Sequence, residues 1–150
     1  MSTEENKATV RRAIEEGWNQ GHAAVFDELN APNFIYHDPG APDVRTREDY
    51  KRWVTESRRA FPDLHLTIED MIAEGDQVVM RWTFRGTNTG ALVTPIPLPA
   101  TGKQVTGAGI TIVRMAFEKA VEAWNQGDNL GELQQLGVIP APGQAGSSPL

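Results

Sequence analysis

The sequence predicts an α+β fold, a curved antiparallel sheet wrapped around N-terminal helices as a cone-shaped α+β barrel. Two observations carry this. Apolar residues recur at helical spacing as far as Pro62, and from Leu64 onward they alternate with polar ones. Helices first and an uninterrupted series of strands afterwards place the helices on one face of a single sheet. A sheet curved around helices leaves a pocket between the layers, a natural place for a small apolar ligand.

Ser2 and Glu5 form a capping-box pattern. Behind it Val10, Ile14 and Trp18 recur at helical spacing up to Gly21, which predicts a helix over about residues 3–20. A shorter helix is expected over His22–Asn30, with Ala31-Pro32 as its stop. Asn33–His37 reads as a short strand broken by the turn residues Asp38-Pro39-Gly40. Thr46 and Asp49 repeat the capping box. Tyr50, Trp53, Val54, Ser57 and Phe61 then make one helical stripe that Pro62 ends.

From Leu64 the period is two. Leu64, Leu66 and Ile68 alternate with His65, Thr67 and Glu69, then Glu74-Gly75-Asp76 turns the chain. Val78, Met80, Trp82 and Phe84 define the next strand. Pro95, Pro97 and Pro99 exclude Thr89–Lys103 from a central strand. That segment is too long and apolar for a plain hairpin, so Leu92, Val93, Ile96 and Leu98 are expected to lie over the pocket mouth or against a dimer partner. Strands over Gln104–Ala116 and Ala120–Gln126, joined by a tight turn near Glu118, and a helix over Leu130–Leu136 complete a single domain over residues 1–139. Residues 140–150, rich in Pro, Gly, Ala and Ser, read as a flexible tail.

Composition narrows the function. With 39% apolar and 23% charged residues the chain is globular rather than disordered. Its net charge of −6 comes without any basic block, which argues against nucleic acid or an anionic membrane surface as partner. The absence of cysteine removes disulfides, thiolate metal sites and thiol nucleophiles. The charged N-terminus lacks the apolar core of a signal peptide and no apolar run reaches membrane-spanning length, so a cytoplasmic protein is expected. His22, His37 and His65 are isolated, and no nucleophile elbow, phosphate loop or dinucleotide fingerprint occurs. Neither a metal nor a cofactor is expected.

Three polar residues are candidates for chemistry. Asp38, flanked by Tyr36 and His37 at a strand end, is either a base at the pocket or the closing group of its own turn. Asn125 cannot take a proton, but its amide can donate to a developing enolate oxygen. Strand parity places Asn125 inward together with Ala123 and Val121. Asp128 is either a carboxylate at the pocket rim or the cap of the last helix. Gly107, Gly109 and Thr111 share a parity and mark a bend in the sheet or room for a ligand. Trp18, Tyr36, Trp53, Met80 and Trp82 are the large side chains expected to wall the pocket. Ile110 and Ile112 have the opposite parity and predict a homodimer through the outer sheet face.

Several stretches resemble the SnoaL-like polyketide cyclase or ester cyclase family, within the nuclear transport factor 2-like superfamily. They are Trp18-Asn19-Gln20-Gly21, Phe61-Pro62-Asp63, Gly86 to Gly90, Pro99 to Lys103 and Trp124 to Gly137, together spanning roughly residues 8–139. The resemblance implies the cone fold, frequent homodimers, and cofactor-free acid/base chemistry on hydrophobic small molecules. It also marks departures. Asn125 stands where the polyketide cyclases carry an acid/base Asp, Thr111 where they carry a pocket His, and Asn88 where many ester-cyclase relatives carry a His. Asp38-Pro39 matches the base of a steroid isomerase of the superfamily, whose phenolic donor would fall at Ile14. The implied function is a cyclase or isomerase of a hydrophobic, polyketide-like carbonyl compound. In it Asp38 or Asp128 would take the proton, and Asn125, helped by Asn88 or Thr111, would hold the enolate oxygen. A non-catalytic small-molecule binder, and water activation as in epoxide hydrolysis, are the alternatives.

Overall fold

The computed structural model describes residues 2–140 and Gly143. Most of the expected C-terminal tail lies outside the described residues. Helix α1 (Thr3–Arg12) opens on the capping box, with Ser2 Oγ accepting from the Glu5 N–H at 3.0 Å and the Glu5 carboxylate accepting from the Ser2 N–H at 3.3 Å. It runs directly into a π-helical segment, Ala13–Asn19. The expected helix therefore has the right extent, but its second half winds more widely than an α-helix. Asn19 fastens this segment to the sheet, donating to Leu66 O at 2.9 Å and accepting from Leu66 N at 2.7 Å.

Helix α2 (Val25–Leu29) is shorter than its expected His22–Asn30, because the backbone is already extended at Asn30. Strand β1 (Asn30–His37) passes through Pro32 instead of starting after it. Proline is tolerated there because β1 is an edge strand, with a register break between Asn30 and Ile35. Helix α3 (Arg47–Ala60) begins on the Thr46/Asp49 capping box and ends at Phe61.

Strands β2 (His65–Glu74), β3 (Gln77–Thr87), β4 (Gln104–Ala116) and β5 (Lys119–Gly127) follow, and the sheet order is β1-β5-β4-β3-β2. The sheet is curved and unclosed. The pairs among β2 to β5 are antiparallel, as expected, whereas β1 lies parallel to β5. Phe117 and Glu118 both adopt positive φ, 52° and 67°, forming the tight two-residue hairpin between β4 and β5. Val78, Met80, Val105, Val113 and Met115 face the helices and are buried. The register shifts between Arg114 and Met115, so Ala120 pairs with Met115 while Glu122 pairs with Arg114. This irregularity puts Ala120, not Val121, on the inner face with Ala123 and Asn125. Helix α4 (Asn129–Gln135) packs on β4 at the open end. No helix among the described residues is long and apolar enough to cross a membrane.

Candidate functional site

A cavity of about 170 Å³ lies between the inner sheet face and the helices. One wall is aromatic. Trp18 from the π-helical segment meets Trp53 of α3 edge-on, with ring centroids 5.2 Å apart, and Tyr36 of β1 meets Tyr50 of α3 at 4.9 Å. Met80 and Trp82 of β3 and Ala123 of β5 also face the cavity. Gly109 of β4 has no side chain, and a Cβ on it would collide with the Trp82 ring. The space that the small residue of β4 opens is thus filled by the indole.

One chain of hydrogen bonds crosses the sheet side of this cavity. Trp82 Nε1 donates to Thr111 Oγ1 at 2.9 Å, and Thr111 donates in turn to Asn125 Oδ1 at 2.7 Å. Asn125 Nδ2 donates to Asp38 Oδ2 at 2.9 Å. Tyr36 donates to the same oxygen at 3.1 Å, and the Gly40 N–H donates to Asp38 Oδ1 at 2.9 Å. Thr111, Asn125 and Asp38 are buried. Each donor and acceptor has one sense along this chain, so the amide is oriented with its oxygen toward Thr111 and its nitrogen toward the carboxylate. One N–H of Asn125 remains uncommitted. Asp38 closes its turn and faces the cavity at once, so the two readings of this residue are compatible.

Tyr50 supplies a second uncommitted donor. Its oxygen accepts from Trp18 Nε1 at 2.8 Å, and no described residue accepts its own proton. Burial pushes the Tyr50 phenol up to about 12 and raises Tyr36 well above the usual range. Both phenols are therefore neutral donors at physiological pH.

Two of the expected site residues lie elsewhere. Asn88 is fully buried and does not line the cavity. Its amide donates to Gly90 O at 2.8 Å and Ala60 O at 3.4 Å, while its oxygen accepts from Thr101 N and Oγ1 at 2.9 and 2.8 Å. It clamps the two ends of the Thr89–Lys103 segment and has nothing left for a ligand. Asp128 also lies outside the cavity lining, with Oδ1 accepting from the Gly131 N–H at 2.9 Å. It is the N-cap of α4. The remaining expected residues, Asp38, Asn125, Tyr36, Trp18, Trp53, Met80, Trp82, Thr111 and Ala123, all line the cavity.

Tyr50 and Glu132 are among the cavity residues that escape the sequence reading. Tyr50 stands there only as part of the helical stripe that begins after Thr46. Glu132 of α4 lines the cavity, and its carboxyl is raised to about 7, first by burial and then by the charges of Asp128 and Asp38. The signal for it is its place on the inward stripe of α4, spaced with Asn129, Leu133 and Leu136, all of which line the cavity. The mouth is roofed by Leu92, Thr94 and Pro95 of the Thr89–Lys103 segment. Leu92 is buried, whereas Val93 and Ile96 are exposed. Among the described residues, no group of three or more His, Asp or Glu side chains is arranged to hold a metal ion.

This arrangement suits proton transfer on an apolar molecule. A carboxylate sits among aromatic walls, with an amide N–H and a phenol directed at the same space. The sequence model of the family described as SnoaL-like polyketide cyclase matches residues 8–136. No curated protein matches the chain. Among solved structures, a candidate polyketide cyclase from Acidithiobacillus ferrooxidans is 32% identical, with 91% of this chain and 98% of that one covered and a TM-score of 0.78. The candidate polyketide cyclase IdmH from Streptomyces antibioticus is 28% identical over 89% of this chain and 99% of its own, with a TM-score of 0.74. A candidate SnoaL-like polyketide cyclase from Jannaschia is 24% identical over 92% and 95%, with a TM-score of 0.81, a likeness of fold.

Proposed function

The chain belongs to the SnoaL-like polyketide cyclase family, and from that premise we propose that it is a cofactor-independent cyclase or isomerase that enolises a hydrophobic carbonyl compound. The observation that carries this reading is the buried Asp38 carboxylate, held by Tyr36, Asn125 and Gly40 at the edge of an aromatic cavity. Asp38 takes a proton from the carbon next to the carbonyl. The free N–H of Asn125 and the free O–H of Tyr50 stabilise the charge that develops on the oxygen. Thr111 and Trp82 hold the amide in the required orientation.

The carboxylate that the family places at position 125 is, in this reading, supplied by Asp38, 2.9 Å from the Asn125 nitrogen. The expected homodimer and the lack of a metal or cofactor requirement are part of the same proposal. The test is deuterium exchange at the α-carbon of an aryl ketone in D₂O, followed by proton NMR. Wild-type protein is expected to accelerate exchange, and Asp38→Asn to lose the acceleration. Equal exchange in both proteins would remove Asp38 as the base. Tight binding of aryl ketones without any exchange would favour the non-catalytic binder.

A further inference from the structure

We propose that Glu132 is the proton donor of this cavity, giving its proton to the oxygen of a second carbonyl group as the enolate formed at Asp38 closes a ring. This rests on the enolisation reading and adds one residue to it, the acid that serves ring closure. Three features of the structure point to it.

The carboxyl of Glu132 opens onto the same cavity as Asp38, from α4. Among the described residues no hydrogen bond or ion pair is made by that carboxyl. It lies over Gly107 of β4, where a Cβ would stand 2.5 Å from Glu132 Oε1, so the carboxyl rests against bare backbone. The two carboxyls differ in surroundings. Asp38 accepts from three donors, whereas Glu132 meets none and feels two negative neighbours. The charged groups that act on it are Asp128, at the start of its own helix, and Asp38, at the end of β1; from β4 the residue against it is Gly107. With its carboxyl raised to about 7, Glu132 keeps its proton up to the neutral range and can release it there.

The step balances. The α-proton passes to Asp38, and the C–H electron pair becomes the enolate. The enolate carbon bonds to the second carbonyl carbon, whose π pair moves onto oxygen and takes the Glu132 proton. The product is a hydroxy ketone isomeric with the substrate. Asp38 then loses its proton to water, and Glu132 regains one from it.

The experiment uses an aryl diketone able to close a six-membered ring, with α-deuterium exchange and ring closure followed separately. Exchange reports the step at Asp38, and ring closure reports the step assigned to Glu132. In Glu132→Gln closure is expected to fall by roughly 10²–10⁴-fold, and by far more than exchange. The wild-type closure rate should drop as pH rises through about 7, and this limb should be absent in Glu132→Gln. Undiminished closure in Glu132→Gln, a wild-type rate without that limb, or wild-type exchange without closure would each overturn the assignment. Loss of exchange in the wild type would instead overturn the enolisation reading beneath it. A far-ultraviolet circular dichroism spectrum of Glu132→Gln equal to that of the wild type shows that the variant folds.

Discussion

Asn125 commits its amide oxygen to Thr111 and one N–H to Asp38, which leaves a single N–H for a ligand oxygen. Removing that donor with Asn125→Ala should lower kcat by about 10²–10³, the loss seen when one oxyanion donor is deleted. Asn125→Leu should do the same while the fold is kept; retained kcat in both would take the amide out of the mechanism. Glu132 makes a prediction about stability. Its folded value is raised from 4.5 to about 7, so between those pH values the folded state holds a proton that the unfolded chain has released. Stability must therefore fall as pH rises through that window. Glu132→Gln should match wild type near pH 4 and exceed it at pH 8 by about 3 kcal/mol, read from urea midpoints. A wild-type midpoint at pH 8 equal to that of the variant would contradict this. At this scale the sequence shows Asp38 and Asn125, because a strand end before Pro-Gly and a two-residue period both place a side chain. It hides Glu132, because one acid on a short polar helix looks like any solvated residue until Gly107 is seen beneath it.

The elements that local chemistry determines are the legible ones. The capping boxes at Ser2/Glu5 and Thr46/Asp49 start α1 and α3 where expected, and the change of period at Leu64 separates helices from strands. The pairing of β1 with β5 is not legible, because it joins residues some ninety positions apart and depends on how the whole sheet curves. The role of Asn88 is hidden for the same reason, since its partners at Ala60 and Thr101 are brought together only by the fold. Asn88→Ala would leave the Thr101 N–H and the Gly90 and Ala60 carbonyls without that partner. The expected cost is about 2–3 kcal/mol, with a lower urea midpoint. Because Asn88 holds both ends of the segment that roofs the cavity through Leu92, the variant should also bind aryl ketones more weakly, read by quenching of tryptophan fluorescence. Unchanged stability would show that the clamp is dispensable.

Across the whole molecule the curved sheet has two apolar faces. The inner one makes the cavity. On the outer one Ile72, Val79, Ile112, Trp124 and His37 stand in register across all five strands, and His37 stacks on Trp124 at 5.5 Å. Ile110 (48% exposed) and Ile35 (41%) extend this row. A continuous apolar belt of this kind is unusual on a surface that meets only water. We propose that it pairs with the same face of a second copy. Trp124→Glu combined with Ile110→Glu should convert a dimer to a monomer in light scattering without loss of the cavity. A wild-type monomer at micromolar concentration would contradict the dimer.

The measurement closest to the central claim is a crystal structure with a naphtholate, an apolar mimic of an enolate, in the cavity. Its oxygen is expected about 3 Å from both Asn125 Nδ2 and the Tyr50 hydroxyl, with the adjacent ring carbon facing the Asp38 carboxylate. A naphtholate seated in the cavity with its oxygen turned away from Asn125 and Tyr50, or bound elsewhere while the cavity stays empty, would contradict it.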